Sequence, residues 1–423
     1  MSDDAMWPAR HGDAEPDPSP GSTRALRQSN ERRVSTVLRE RGPMSQAAVA
    51  RLSGLSPATI NSIVRTLESK GLVTVGSGRN GREKEVSLAR PTGTVLSLEI
   101  AQTVVHASLI VAGIERRFDA KWSVESDQSA AESLSLVRRM RSALLASATL
   151  STDEVQATYV AVRAPIDPKS GRVIPSRQVP GWEGPMMREW TEMDVQAELS
   201  AALETSVIVD GDSRLAAMAE WMWGEARGSS GLLYMKSSWG IGGGVVLGGA
   251  LYRGHNGLAG EIGHIVVDPS GPVCICGSRG CLFTFISGGA LLRELETAGH
   301  PQPSVVSIAE GARRGDPACR RVVAEAGRRL GQAAADASRV LAPDSIVVGG
   351  ELASAGQILL DPMTAALEES GLWGSTSHPR VSLGMLRSDM SALGAAASHW
   401  SSQGAGSSDM PAWLRAPVAV RMY

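Results

Sequence analysis

The stretch from Glu261 to Cys281, EIGHIVVDPSGPVCICGSRGC, concentrates metal-binding chemistry in one short loop. It holds three of the four cysteines of the 423-residue chain together with a histidine. One imidazole and three thiols are a ligand set of closed, tetrahedral zinc sites. We therefore predict a zinc ion bound by His264, Cys274, Cys276 and Cys281.

Four protein ligands leave no coordination position for a reacting water, so the predicted zinc is structural rather than catalytic. Gly277 and Gly280 lie between the last two thiols, where the backbone has to turn tightly around an ion. The alternative is that the four residues are unrelated, but their concentration in one loop argues against it. Because Glu261 lies just upstream, we expect the loop to carry ligand-binding groups as well.

Length and composition indicate a soluble protein of two or three domains. Apolar residues make up 43% of the chain and charged residues 20%, which is typical of globular proteins. No stretch is apolar enough to form a membrane helix, and the acidic N-terminus lacks an apolar signal segment. With cysteines clustered as in a metal site rather than spread as a disulfide framework, we expect a cytoplasmic protein without a membrane partner.

The charge is distributed unevenly along the chain. Residues 23–90 contain 13 Lys or Arg and 5 Glu, a net charge of +8, whereas the whole chain has −2. Residues 1–22, rich in Asp, Pro, Gly and Ser, are predicted to be a disordered tail. A basic module attached to an acidic body indicates a polyanionic partner, although a basic face can also be merely solvated.

Residues 23–90 have the pattern of a winged helix-turn-helix domain. Ser45 is placed to cap a short helix, and Ser53-Gly54-Leu55 forms the turn between helices. Ser56-Pro57 then opens a second helix that runs to about Lys70, with apolar residues at helical spacing. Two short strands follow at Leu72–Val75 and Lys84–Leu88, joined by a hairpin loop.

The outward face of this second helix carries short polar residues and one arginine, without acidic residues from Leu55 to Leu67. Such a face can enter a major groove and form hydrogen bonds to base edges, although it can also be only a soluble surface. The loop between the strands carries a tight-turn Asn-Gly pair flanked by arginines that can reach a minor groove or phosphates. We predict contacts to double-stranded DNA from Ser56, Ala58, Thr59, Asn61, Ser62, Arg65, Arg79 and Arg82.

Strands and helices alternate from residue 91 to residue 400, which predicts an α/β domain. The Ser/Gly-rich residues that follow predict a flexible C-terminal segment at 401–423. In this region the chain resembles the ROK family (repressors, open reading frames and kinases). The resemblance rests on Ala259-Gly260-Glu261-Ile262-Gly263-His264, the Cys-x-Cys-Gly-x-x-Gly-Cys run, Pro180-Gly181-Trp182, Tyr252-Arg253-Gly254 and Gly349-Gly350-Glu351.

The resemblance implies an actin-like (ribonuclease H-like) fold of two α/β lobes with a cleft between them. It also implies that members with an added winged helix-turn-helix are transcription factors. In the kinases of the family an aspartate acts as general base on the sugar hydroxyl, and Asp212 matches it. Glu261 and His264 match ligands of sugar hydroxyls, and His264 also matches the zinc ligand.

The chain departs from the kinase pattern in both phosphate loops. The first reads Glu99-Ile100-Ala101-Gln102-Thr103 where the kinases have Asp-x-Gly-Gly-Thr, and the second has Trp239 in place of a small hydroxyl residue. Bulky residues obstruct the close backbone approach that phosphate binding requires. We therefore expect neither ATP as a cofactor nor catalysis by Asp212.

The pocket for the sugar is altered as well. Gly211 stands where the family has an asparagine, Phe283 where it has a glutamate, and Arg163 is added. Each unpaired sugar hydroxyl costs roughly 1–3 kcal/mol, so we expect a modified, acidic or less polar sugar-like effector, or none. The predicted ligand-binding residues are Asp212, Glu261, His264, Arg163 and Trp239.

Together these features predict a sequence-specific transcriptional regulator, most simply a repressor, that binds a DNA operator as a homodimer or dimer of dimers. Two alternatives remain at this point. One is an ATP-dependent sugar kinase with a DNA-binding appendage. The other is an effector-independent DNA-binding dimer whose cleft has no ligand.

Overall fold

The structure is a computed structural model that describes residues 23–69, 73–77, 84–88, 93–101, 104–125, 128–174, 185–370, 378–385, 389–403 and 405–422. The chain forms two compact units that divide between Ala89 and Arg90. The predicted tail at 1–22, Arg79 and Arg82 of the wing, and Pro180-Gly181-Trp182 lie outside the described residues. None of the described helices is long and apolar enough to cross a membrane.

The first unit combines three helices with a three-stranded antiparallel sheet. Its elements are α1 (Thr23–Arg41), β1 (Met44–Ser45), α2 (Gln46–Ser53), α3 (Pro57–Ser69), β2 (Val73–Ser77) and β3 (Lys84–Leu88). The sheet order is β1-β3-β2. Helix α2 starts where the Ser45 side chain accepts a hydrogen bond from the Ala48 N–H. The apolar residues of α3 face inward and are buried: Ile60, Ile63, Val64 and Leu67.

The second unit contains two sheets and the helices that cover them. Its first half consists of β4 (Thr94–Ile100), β5 (Val104–Val111), β6 (Arg116–Ser123), α4 (Ala130–Ala148), β7 (Ala157–Val162), α5 (Pro185–Glu192), α6 (Val195–Leu203), β8 (Val207–Gly211) and α7 (Asp212–Trp223). Its second half consists of β9 (Gly231–Ser237), β10 (Ile241–Leu247), β11 (Ala250–Tyr252), α8 (Leu282–Ile286), α9 (Gly288–Thr297), α10 (Val305–Arg313), α11 (Pro317–Leu341), β12 (Ser345–Gly349), α12 (Gln357–Glu368), β13 (Arg380–Leu383), α13 (Met390–Ser402), α14 (Ala412–Arg415) and β14 (Val418–Ala419).

The two sheets repeat one connectivity. In the first, β4, β5 and β6 form an antiparallel meander, and β7 and β8 extend it parallel to β4, giving the order β14-β6-β5-β4-β7-β8. In the second, β9, β10 and β11 form the meander and β12 and β13 extend it, giving β11-β10-β9-β12-β13. The predicted fold of two α/β lobes is therefore confirmed.

Helices α7 and α13 lie between the lobes and share one core with both sheets. This core contains Val95 and Tyr159 from the first sheet, and Leu232 and Val347 from the second. Every residue of α7 is buried, and so are Met390–Ala397 and Trp400 of α13. Because α7 continues directly from β8, its first residue, Asp212, lies at the carboxyl end of the first sheet.

The C-terminal segment differs from the prediction of a flexible chain. Helix α14 buries Leu414 completely, and Trp413 packs edge-on against Trp400 of α13 with ring centroids 6.3 Å apart. Strand β14 adds to the first sheet, parallel to β6. The Ser/Gly-rich composition did not predict this order, because a few large apolar residues, such as Trp413 and Leu414, are enough to anchor the segment.

Arg117 of β6 is fully buried and connects the first sheet to the end of the chain. Its guanidinium forms ion pairs with Asp119 at 2.5 Å and with Asp389, just before α13, at 2.6 Å. It also donates a hydrogen bond to the Leu414 carbonyl at 3.1 Å. Removing one partner of a buried ion pair leaves the other charge uncompensated, which is strongly destabilising.

We predict that Arg117→Ala lowers the free energy of unfolding by about 3–5 kcal/mol, because the buried Asp389 and the half-buried Asp119 lose this cation. Urea denaturation followed by circular dichroism measures the change. Arg116→Ala is the matched control, since this neighbouring arginine points to solvent. Equal effects of the two substitutions would contradict the role assigned to the buried network.

Candidate functional site

The four predicted metal ligands come together in the structure. Their ligand atoms all lie within 4.8 Å of one another, with 3.5 Å between Cys274 Sγ and His264 Nδ1 and 3.6 Å between the Sγ atoms of Cys276 and Cys281. Two ligands about 2.3 Å from one ion at a tetrahedral angle are ~3.8 Å apart. The cluster therefore has the donor set and the spacing to hold one metal ion.

The electrostatic surroundings suit this role. Burial lowers the pKa of His264, so its imidazole is neutral and has the lone pair that a metal ligand needs. Burial also raises the pKa of the Cys281 thiol to about 12, so a thiolate at this position requires a cation beside it. No disulfide joins the cysteines of the cluster.

Asp212, the candidate base, is fully engaged by neighbouring groups. Its Oδ2 accepts a hydrogen bond from Lys236 Nζ at 2.7 Å. Its Oδ1 accepts from the Ser213 N–H at 2.6 Å and from the Ser213 hydroxyl at 3.0 Å. Burial opposes the charge, but Lys236, Arg163 and the Ser213 hydroxyl together hold the pKa of Asp212 below its usual value. The carboxylate is therefore ionised, and each of its oxygens accepts at least one hydrogen bond.

Lys236, the partner of Asp212, is a residue of this cluster that the sequence motifs did not single out. It is the second-last residue of strand β9, after the buried run Gly231–Met235, and burial disfavours its charge. The negative charges of Asp212 and Glu99 more than compensate and raise its pKa. A charged residue in the buried run Gly231–Ser237 was the available signal, because such residues are seldom buried without a partner.

A second cluster of charges lies next to Asp212. Asp210 forms ion pairs with Arg214 and with Arg253, each at 2.7 Å. A Cβ placed on Gly211 would lie 3.2 Å from Nε of Arg214. Arg214 therefore occupies the space beside Gly211, where the ROK resemblance leads us to expect an asparagine side chain.

The other predicted ligand residues share this neighbourhood to different degrees. Burial raises the pKa of Glu261 to about 6. The positive charge of Arg214 opposes this shift and the negative charge of Asp212 adds to it, so the three groups interact electrostatically. Arg163 acts on both Asp212 and Lys236. His264, by contrast, turns its Nδ1 toward the cysteines and stacks on Phe283, with ring centroids 6.2 Å apart.

Trp239 lies in the loop between β9 and β10 and is 38% exposed. This loop folds back on the start of α9, because the Gly288 N–H donates to the carbonyls of Ser238 and Trp239 at 3.0 Å each. The Trp239 indole is therefore partly exposed to solvent. It lies in the loop that matches the second phosphate loop, where we predict that a bulky side chain prevents nucleotide binding.

In the first unit, the predicted DNA-contacting side chains of α3 are mostly on its outer face. Ala58, Asn61, Ser62 and Arg65 are exposed. Ser56 also has a structural role, because its hydroxyl accepts a hydrogen bond from the Thr59 N–H at 3.1 Å and so caps the helix. The Thr59 hydroxyl is 2.8 Å from that of Ser56, which leaves it less free to contact a base.

Known proteins match the chain along most of its length. A model of the ROK family matches residues 99–400, and a model of winged helix-turn-helix DNA-binding domains matches residues 27–74. The chain is 27% identical over 402 residues to the DNA-binding transcriptional dual regulator NagC of Escherichia coli K12, covering 89% of this chain and 93% of that protein. Its counterpart in E. coli O6:H1 is named N-acetylglucosamine repressor.

Enzymes match a shorter part of the chain. A glucokinase of Streptomyces coelicolor is 30% identical over 192 residues, which cover 41% of this chain and 61% of the enzyme. Among solved structures, a ROK family transcriptional regulator described as a homolog of the E. coli MLC protein superposes with a TM-score of 0.68. It is 24% identical, and the match covers 90% of this chain and 97% of that one.

Cys276→Ala is expected to abolish most metal binding and to lower the melting temperature by at least about 5 °C, since a structural metal site contributes several kcal/mol. Inductively coupled plasma mass spectrometry and differential scanning calorimetry measure the two effects. Cys319→Ala, a buried cysteine outside the cluster, is the control for metal content. Unchanged metal content in the Cys276 variant would show that the four-ligand assignment is wrong.

Proposed function

Because this chain belongs to the ROK family and also carries a winged helix-turn-helix, we propose that it is a sequence-specific DNA-binding transcriptional regulator, most simply a repressor. The observation that carries the proposal is the exposed face of α3, which has no acidic residue from Pro57 to Leu67. This helix belongs to a winged helix-turn-helix domain that precedes a ROK domain in the same chain. The match to NagC, a DNA-binding transcriptional dual regulator, over 89% of this chain and 93% of that protein supports it.

DNA recognition would rest on α3 and the wing. Asn61 and Arg65 are exposed side chains of the types that form paired hydrogen bonds with adenine and guanine. Arg79 and Arg82 of the wing would add minor-groove or phosphate contacts. Ser56 and Thr59, whose hydroxyls are already bonded to each other or to the backbone, would contribute less to base recognition.

A homodimer, or a dimer of dimers, would place two such helices on a pseudo-palindromic operator. A sugar-like effector bound by Asp212, Glu261 or Trp239 would bias the closure of the lobes and so the spacing of the DNA-reading helices. This activity requires access to the chromosome, and we therefore propose a cytoplasmic location. If no ligand shifts operator affinity, the effector-independent dimer is the better description.

The ion at the Cys₃His cluster would be zinc in a structural role. Three thiols and one imidazole suit zinc better than magnesium or calcium, which prefer oxygen ligands. Such an ion would hold the loop that carries Glu261 in a fixed shape. Its chemical contribution would be to cross-link this loop rather than to activate a water.

We propose that the protein is not an enzyme. A kinase base must accept a proton from the sugar hydroxyl, whereas the Lys236 ammonium at 2.7 Å helps to hold the pKa of Asp212 below its usual value and makes it a weaker base. Trp239 also stands in the second phosphate loop. The sugar kinase alternative is supported by a shorter match to a glucokinase, and it is the weaker of the two.

Arg65→Ala should weaken binding to the operator by about 1–3 kcal/mol, because one charge-assisted contact to DNA is lost. The operator is first obtained by selection from random duplexes with the wild-type protein, and affinity is then measured by fluorescence anisotropy. A relaxed preference at one base pair indicates a base contact, and a uniform loss with a smaller salt slope indicates a phosphate contact.

The control for this experiment is Arg328→Ala, which removes the same charge from an exposed position on α11. It should leave operator affinity unchanged. If Arg65→Ala also leaves affinity unchanged, α3 is not the DNA-reading helix as proposed.

In a coupled assay with ATP and a panel of hexoses and amino sugars, we expect no turnover above background. Asp212→Asn should give the same background, because the carboxylate is already engaged by Lys236. Turnover in the wild-type protein that disappears in this variant would instead support the sugar kinase alternative.

A further inference from the structure

Glu220, in the last turn of α7, carries a buried carboxyl group that the proposed function does not use. Its side chain is completely buried, and among the described residues no cation forms an ion pair with it. Backbone groups bind it instead: Oε1 accepts a hydrogen bond from the Met385 N–H at 2.6 Å, and Oε2 accepts one from the Glu225 N–H at 3.1 Å. A buried carboxylate without a cation is costly, because burial removes its hydration.

These two hydrogen bonds lie at the two places where the chain passes between the lobes. The outgoing crossing leads from α7 to β9 of the second sheet and contains Glu225. The returning crossing begins after β13 with Gly384 and Met385, and the chain then continues through α13 to β14 of the first sheet. One carboxyl group therefore joins both crossings, which is the position of a hinge between the lobes.

Two glycines leave the space that this carboxyl group occupies. A Cβ on Gly224 of the outgoing crossing would overlap Oε2 of Glu220, and a Cβ on Gly384 of the returning crossing would overlap Oε1. Both crossings thus approach Glu220 more closely than a residue with a side chain would allow. The backbone at the hinge is built around this carboxyl group.

Titratable groups from each neighbouring element surround the carboxyl group. Glu225 is exposed, and its negative charge disfavours a second one nearby. Tyr234 of β9 stays neutral, since burial raises its pKa well above the ordinary value. Arg380 of β13 is exposed and donates a hydrogen bond to the Glu225 carbonyl, and Asp389, before α13, is paired with Arg117. None of these described groups places a cation on the carboxyl group.

Burial raises the pKa of Glu220 to about 7, although its two N–H donors oppose the shift. A carboxylate accepts hydrogen bonds at both oxygens, whereas a protonated carboxyl group carries an O–H that donates. Binding of one proton therefore removes the buried charge and frees one of the two backbone N–H groups.

We propose that Glu220 is a proton-dependent link at the hinge, whose ionised form holds both chain crossings together and whose protonated form releases one of them. The device adjusts how firmly the two lobes are joined as the pH changes around neutrality. It does not depend on the proposed binding to DNA.

The first test is the pH dependence of stability, measured by urea denaturation followed by circular dichroism. The pKa of Glu220 rises from its ordinary value of 4.5 to about 7 on folding, so between these values the folded protein holds a proton that the unfolded chain has released. The stability that this proton contributes is complete below the lower value and is lost as the pH rises to the upper one. The unfolding equilibrium constant should therefore rise by up to ~10-fold per pH unit in this window.

Glu220→Gln cannot titrate and should lack this part of the pH dependence, whereas Glu369→Gln, at an exposed position, should retain it. Arg387 lies outside the described residues, and Arg387→Gln should leave the midpoint of the transition unchanged. A higher midpoint in that variant would show that Arg387 pairs with Glu220 and would overturn the inference.

The second test needs only the wild-type protein. Hydrogen–deuterium exchange, corrected for the intrinsic effect of pH, compares the peptides that contain Glu225 and Met385 at pH 6 and pH 8. One of the two N–H groups should be less protected at pH 6, although the folded protein as a whole is then more stable. Unchanged protection in both peptides, or the same pH dependence of stability in the wild-type protein and Glu220→Gln, would overturn the inference.

Discussion

The second unit depends on the close packing of α7 against its neighbours. A Cβ on Gly394 of α13 would overlap the carbonyl of Leu215 on α7, and a Cβ on Gly244 of β10 would lie 2.6 Å from that of Ala217. Helix α7 is therefore in backbone contact with α13 and with the second sheet while it continues directly from the first. This one helix fixes Asp212 in the cleft and ties both lobes to a common core.

The ion pair at the start of α7 decides what the cleft can do. Lys236 donates a hydrogen bond to Asp212 and helps to hold the pKa of this carboxylate below its usual value, which makes Asp212 a weaker proton acceptor. The cost of burying the two charges is offset by their mutual attraction and by the Ser213 hydrogen bonds. The cleft thus contains an ionised Asp212 that is paired with a buried cation.

Much of this organisation could be predicted from the sequence, because it is local. The ligands of the metal cluster lie within one loop, and the helix and cap signals of the DNA-binding domain lie within a few residues of each other. Strand β6 is hard to predict, because charged residues dominate its sequence, RRFDAKWS. Its alternation of Phe118, Ala120 and Trp122 with polar residues was the weaker signal of a strand.

What the sequence could not provide was the pairing of distant residues. Lys236 and Asp212 are 24 positions apart, and their contact depends on two sheets meeting at α7. Arg214 filling the space beside Gly211 likewise follows from packing and not from a motif. The predicted contacts of Arg79 and Arg82, and the effector itself, remain predictions because they concern partners of the chain.

Arg117 reaches partners 272 and 297 positions further along the chain, at Asp389 and Leu414. The sheet that begins at Thr94 gains its edge strand only at Val418. On the ribosome, the lobe made first therefore cannot complete its charge network until Leu414 has emerged. The long loop that must close makes this step slow compared with local folding.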